Sequence, residues 1–67
     1  MPIISLTNIK GEKIYIAAQH ILMIIHYEIN DKDGKLNKFT RVSFVNDGFV
    51  DVNESPEEII HAIMENT

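Results

Sequence analysis

Asn46-Asp47-Gly48-Phe49-Val50-Asp51-Val52-Asn53-Glu54-Ser55-Pro56-Glu57-Glu58-Ile59-Ile60 decides the fold. Its first three residues are turn formers, Phe49 to Val52 alternates like a short strand, and a helix start follows. Ser55 and Glu58 have the spacing of a capping box, in which each side chain serves the other residue's backbone amide. Pro56 falls at the first helical position, where a missing N–H costs nothing. Glu57 and Glu58 lie at the positive end of the helix dipole. The helix is expected to run from Pro56 to about Asn66, with Ile59, Ile60, Ile63 and Met64 as its apolar stripe.

Working back from that helix, the chain reads as short strands joined by tight turns. Ile4 to Thr7 alternates, Asn8 to Lys13 turns around Gly11, and Ile14 to Ile16 resumes. Ala17 to His20 is a short turn or a single helical turn. Ile21 to Ile29 is rich in β-branched residues, and Asn30 to Lys35 is a polar hairpin connection with Asp33-Gly34 at its tip. Phe39 to Val45 returns as a strand. Neighbours in sequence usually pair in space, so the expected fold is α+β: a small antiparallel meander sheet of four or five strands with one C-terminal helix packed on it. Residues 1–67 are read as a single domain. Ile4, Leu6, Ile14, Ile16, Met23, Ile25, Val42, Phe44, Val50, Val52, Ile59 and Ile63 are expected to supply the core.

Ile21-Leu22-Met23-Ile24-Ile25 breaks the alternation that a sheet with one wet face should show. Either this strand is central and wrapped by the sheet and helix, or a second copy of the chain covers one of its faces. Self-association is the expectation, with Leu22 and Ile24 as candidate contact residues, because exposed apolar patches usually mark contacts. Size points the same way. At 67 residues with no cysteine, neither disulfide nor zinc–thiolate site can reinforce a small core.

Charge is distributed unevenly. All six basic residues (Lys10, Lys13, Lys32, Lys35, Lys38 and Arg41) precede Val42, whereas Asp47, Asp51, Glu54, Glu57, Glu58 and Glu65 follow it. The helix face bearing Glu57, Glu58, His61 and Glu65 is therefore a candidate docking surface for a basic partner, with Ile59, Ile60 and Ile63 turned toward the sheet. A solvated acidic face is the alternative.

Few residues suggest chemistry. Asp31-Lys32-Asp33-Gly34-Lys35 resembles a calcium loop but has Gly fourth and a lysine fifth, against the EF-hand pattern, so a hairpin turn is expected. His20 and His26 would lie about 20 Å apart on one strand, too far to share a metal ion. Ser5, Ser43 and Ser55 have no base placed to activate them. So short a chain is not expected to enclose a cavity of the usual ~300 Å³ or more. No enzyme, cofactor or metal site is expected. Nucleic acid is not expected as a partner either, because the net charge is −4 and the aromatics fall at positions read as buried. Met1-Pro2-Ile3-Ile4-Ser5 lacks the features of a signal peptide and the longest apolar run is far too short to span a bilayer, so a cytoplasmic protein without a membrane span is expected.

Ile4-Ser5-Leu6-Thr7, Lys10-Gly11-Glu12-Lys13-Ile14-Tyr15-Ile16, His20-Ile21 and Val52-Asn53-Glu54-Ser55-Pro56-Glu57-Glu58-Ile59-Ile60 together resemble the FlbD/SwrD-like family of small bacterial flagellar accessory proteins. They are similar to that family's opening strand, its first hairpin, the apolar residue after its short turn, and its closing acidic helix start. The resemblance implies a non-enzymatic protein that works through protein contacts, with no catalytic or ligand residue to carry over. The strand–turn–strand rhythm is also similar to LytTR-type DNA-binding domains, which implies a nucleic-acid-binding or regulatory module as the alternative.

Overall fold

The computed structural model describes residues 3–65 of the chain. Strands β1 (Ile3–Thr7) and β2 (Lys13–Ala17) form an antiparallel hairpin, and a 3-10 turn (Ala18–His20) leads into β3 (Ile21–Asn30). Strands β3, β4 (Leu36–Phe44) and β5 (Phe49–Val52) form a second antiparallel sheet in that order, and helix α1 (Pro56–Glu65) closes the fold. The fold is α+β, as expected, but the strands form two sheets rather than one continuous meander. The sheets meet through an isolated bridge between Asn8 and Val52, reinforced by the Asn53 N–H donating to Thr7 O at 2.8 Å. Strand β4 begins at Leu36 rather than Phe39, and the expected extension of the helix to Asn66 lies outside the described residues.

Each hairpin turns by the same means. In Asn8–Glu12, Asp31–Lys35 and Phe44–Gly48, the fourth residue's N–H donates to the first carbonyl, and the first N–H donates to the fifth carbonyl. That geometry is a tight turn followed by a bulge whose fourth residue takes a positive φ. Gly11 (φ 86) and Gly34 (φ 76) fill that position in the first two connections. In the third, Asp47 fills it at φ 70, and Gly48 follows one residue too late. Asn8 and Asp31 brace their loops further: Asn8 Oδ1 accepts from the Lys10 and Glu12 amides, and Asp31 Oδ1 from those of Asp33 and Lys35. The calcium-like stretch is thus a hairpin turn whose first carboxylate serves its own backbone.

The capping box forms: Glu58 N–H donates to Ser55 Oγ and Ser55 N–H to Glu58 Oε1, both at 3.2 Å. Glu54, one residue earlier, ties the helix entrance to the other sheet, because both of its carboxylate oxygens accept from Thr7 N–H, at 2.9 and 3.0 Å. Helix α1 packs against β1 and β3. Ile59 is the helix residue buried completely, and with Ile4, Leu6, Ile16, Val42 and Val52 it forms the core. Ile14, Ile21, Ile24, Phe44, Val50, Ala62 and Ile63 pack around that centre.

Two expected core residues do not join it. Between Ile21 and Met23 the β3–β4 register shifts, so Ile21 pairs with Phe44, Met23 with Ser43 and Ile24 with Val42. Val42 lies on the side that the helix covers, so its partner Ile24 turns inward. The bulge moves Met23 to the other side, where it is 49% exposed, and Ile25 shares that side opposite Arg41. The same shift corrects the pairing of Leu22 with Ile24 as one contact surface. Leu22 is 65% exposed, whereas Ile24 packs on the core. Nor is β3 a central strand: it is at the edge of its sheet and β4 lies in the middle. On the helix, Ile60 does not turn toward the sheet but is 49% exposed.

Two stability changes follow. Ser55→Ala removes the cap and should lower unfolding stability by about 1 kcal/mol in urea denaturation. Asp47→Gly places the residue suited to a positive φ where the turn requires it, and should raise stability by about 0.5 kcal/mol in the same assay.

Candidate interaction surface

Strand pairing assigns the paired residues of the larger sheet to one of two sides. The inner side, under α1, carries Ile24, Val42 and Val50 in one row and His26, Thr40 and Val52 in the next. Thr40 is fully buried there, and its Oγ1 has no hydrogen-bond partner among the described residues. Further along the hairpin the inner side becomes polar. His26 Nε2 lies 3.3 Å from Glu28 Oε1, and Lys38 Nζ lies 3.9 Å from the same oxygen. These groups are exposed and solvated.

The outer side shows the opposite pattern. Met23, Ile25, Tyr27 and Ile29 follow one another along β3, with Leu22 exposed in the bulge beside Met23. Across from them stand Ser43, Arg41, Phe39 and Asn37 on β4 and Phe49 and Asp51 on β5. Tyr27 and Phe39, paired across the strands, stack with ring centroids 5.2 Å apart and planes 16° from parallel. The Arg41 guanidinium lies 4.2 Å from the Phe49 ring centre and 5.2 Å from that of Tyr27. Both are within cation–π range.

Arg41 is also held by Asp51, its cross-strand partner on β5. Nε donates to Oδ1 at 2.8 Å and Nη2 to Oδ2 at 3.1 Å, a two-pronged pair that a planar guanidinium is shaped to make. The hydrogen bond to Asp51, opposed by a smaller desolvation effect, raises the Arg41 pKa above its ordinary value. The outer face therefore carries one charge pair that cancels internally among mostly apolar and aromatic side chains, with Ser43 and Asn37 as its neutral polar residues. Phe49 is 58% exposed, which corrects the expectation that the aromatics are buried.

The acidic helix face is present as expected in position: Glu57, Glu58, His61 and Glu65 are all exposed. Its charges are partly engaged. Glu58 Oε1 accepts the Ser55 amide hydrogen, and His61 Nε2 lies 2.9 Å from Glu65 Oε1, an ion pair when the imidazole is protonated. Ile60 and Met64 are exposed on the same outward half of the helix, so that surface is mixed rather than purely acidic.

An open groove of about 330 Å³ lies where the β1–β2 hairpin parts from the larger sheet, lined by Tyr15, Ile16, Ala17, His20, Phe44, Val45 and Asn46. Its polar groups are a phenol, an imidazole and an amide, and the amide oxygen of Asn46 already accepts from Gly48 N–H at 3.1 Å. Among the described residues, no three His, Cys, Asp or Glu side chains gather around one possible ion position. No helix among them is long and apolar enough to cross a membrane. The chain matches no family model, no curated protein and no solved structure.

Arg41→Lys separates charge from shape, because lysine keeps the positive charge but loses the planar fork and ring stacking. The variant should show weaker near-ultraviolet circular dichroism from Tyr27 and a lower melting temperature, with the far-ultraviolet spectrum unchanged.

Proposed function

We propose that this protein is a small non-enzymatic interaction module that acts through protein–protein contacts made by the outer face of its three-stranded sheet. The observation that carries this reading is the reversal of polarity along the β3–β4 hairpin. Its inner side is polar where it passes His26, Glu28 and Lys38, whereas its outer side there carries Ile25, Tyr27, Ile29 and Phe39, with Asn37 at the far end. Where it projects past the helix, a hairpin serving only its own domain would be polar on both sides. Aromatic residues and arginine are also the side chains enriched where proteins contact each other. The resemblance to the FlbD/SwrD-like flagellar accessory family supports a role by contact, within the cytoplasm and without a cofactor. The acidic helix face then serves as a second, subsidiary docking surface for a basic partner.

A nucleic-acid reading has one observation in its favour: exposed aromatics on an antiparallel sheet can stack on bases. Two features weigh against it. Tyr27 and Phe39 stack on each other, and the arginine among the rings is already neutralised by Asp51.

Affinity capture from a cell extract and anisotropy with single-stranded oligonucleotides, each at roughly 50 and 200 mM salt, separate the readings. Wild type should retain protein at the higher salt, lose it on Phe49→Glu, and bind no oligonucleotide. Oligonucleotide binding that depends on Phe49 and weakens steeply with salt would replace the contact reading with nucleic-acid recognition.

A further inference from the structure

We infer that the partner of the outer sheet face is a second copy of this chain, packed face to face about a two-fold axis. The inference rests on the reading of that face as a contact surface and names its occupant. Three observations point to a copy.

The first is charge. In a two-fold interface the same patch meets itself, so a patch of uncompensated net charge is repelled by its own copy. Here Asp51 holds Arg41 in a two-pronged ion pair within one chain. The lysines of the larger sheet and its hairpin loop lie off this face: Lys38 turns to the inner side beside Glu28, and Lys32 and Lys35 are in the loop. The face can meet its own image without repulsion.

The second is area. Strands about 4.8 Å apart and rising about 3.3 Å per residue, with ten, nine and four residues, give a face of roughly 360 Å². Two such corrugated faces cover roughly 730 Å² in projection and more in accessible area, approaching the ~1,000 Å² of a weak specific interface. A small adaptor peptide would leave much of the face bare.

The third is shape. The molecule measures 43 × 24 × 19 Å, elongated in keeping with a hairpin whose strands have ten and nine residues. Helix α1 covers only the part of the inner side near Ile24 and Val42, and an isolated two-stranded ribbon is marginal in water. Packed on the same face of a copy at the usual angle between stacked sheets, each hairpin crosses the other's three-stranded region. Each overhang then gains the cover that its own helix does not supply.

The test is sedimentation equilibrium of wild type, Leu22→Glu and Phe49→Glu, with Ile60→Glu on the helix as control. Circular dichroism establishes that each variant is folded, as expected for residues that are mostly exposed. Wild type should be dimeric at high micromolar concentration, the two face variants should associate at least about tenfold more weakly, and the control should match wild type. A dimer unaffected by the face variants but lost on Ile60→Glu would overturn the inference and assign association to the helix. A monomeric wild type would overturn it too. In that case, capture of a different protein that still depends on Phe49 leaves the contact reading standing, whereas its absence removes both.

Discussion

One ten-residue helix has to cover a surface made by five strands, and it can cover only one side of them. Everything else in the structure adjusts to that shortage. Ile59 enters the space between the two sheets and is fully buried there with Ile4, Leu6, Val42 and Val52. Around it the sheets are held together by polar links rather than further apolar mass. The Glu54 carboxylate receives the Thr7 amide hydrogen, Asn53 N–H donates to Thr7 O, and Asn8 bridges to Val52. These links fix where the helix starts, and the cap at Ser55 fixes its direction. Small domains have few buried side chains to spare, so each of these polar contacts weighs more than it would in a larger protein.

The consequence appears on the other side of the larger sheet. With no helix there, the side chains of β3, β4 and β5 cover each other: Tyr27 on Phe39, and Arg41 between Tyr27 and Phe49 while clamped to Asp51. This shields part of the face and neutralises its charge, but leaves Leu22, Met23 and Phe49 largely in water. A sheet face of this composition matches the centre of an interface better than an ordinary protein surface, because charge is depleted and aromatics are enriched.

Much of this was legible in the residues. The turn chemistry located every hairpin, and Ser55, Pro56 and Glu58 located the start of the helix to the residue. Alternation found Ile4, Leu6, Ile16, Val42 and Val52. Ile21 to Ile29 read as one apolar strand, but Met23 and Ile25 were assigned to the core when they belong to the outer face. The cause is the bulge beside Leu22, which shifts the side-chain phase of β3 relative to β4; an extra residue reverses every side chain beyond it. An apolar run such as Ile21 to Ile25 conceals a bulge, since each residue in it suits either side. Asp47 eluded the reading for a similar local reason. The neighbouring Gly48 is the more obvious residue for a positive φ, and only the hydrogen-bond frame of the turn shows which residue adopts it. The outer cluster around Arg41 depends on contacts between strands, and Tyr27, Phe39, Arg41 and Phe49 are too far apart in sequence to suggest one site.

The central claim is that this fold has one covered face and one contact face, and solvent exposure of individual methyl groups tests it most directly. Wild type labelled at isoleucine and methionine methyls can be recorded with a soluble paramagnetic probe at low and at high protein concentration. The Ile59 methyl should resist the probe at both concentrations. The Met23, Ile25 and Ile29 methyls should be strongly broadened when the protein is dilute and protected when it is concentrated, while Ile60 and Met64 on the helix stay broadened throughout. Equal broadening of the outer-face methyls at both concentrations, or protection of the helix methyls instead, would contradict the account.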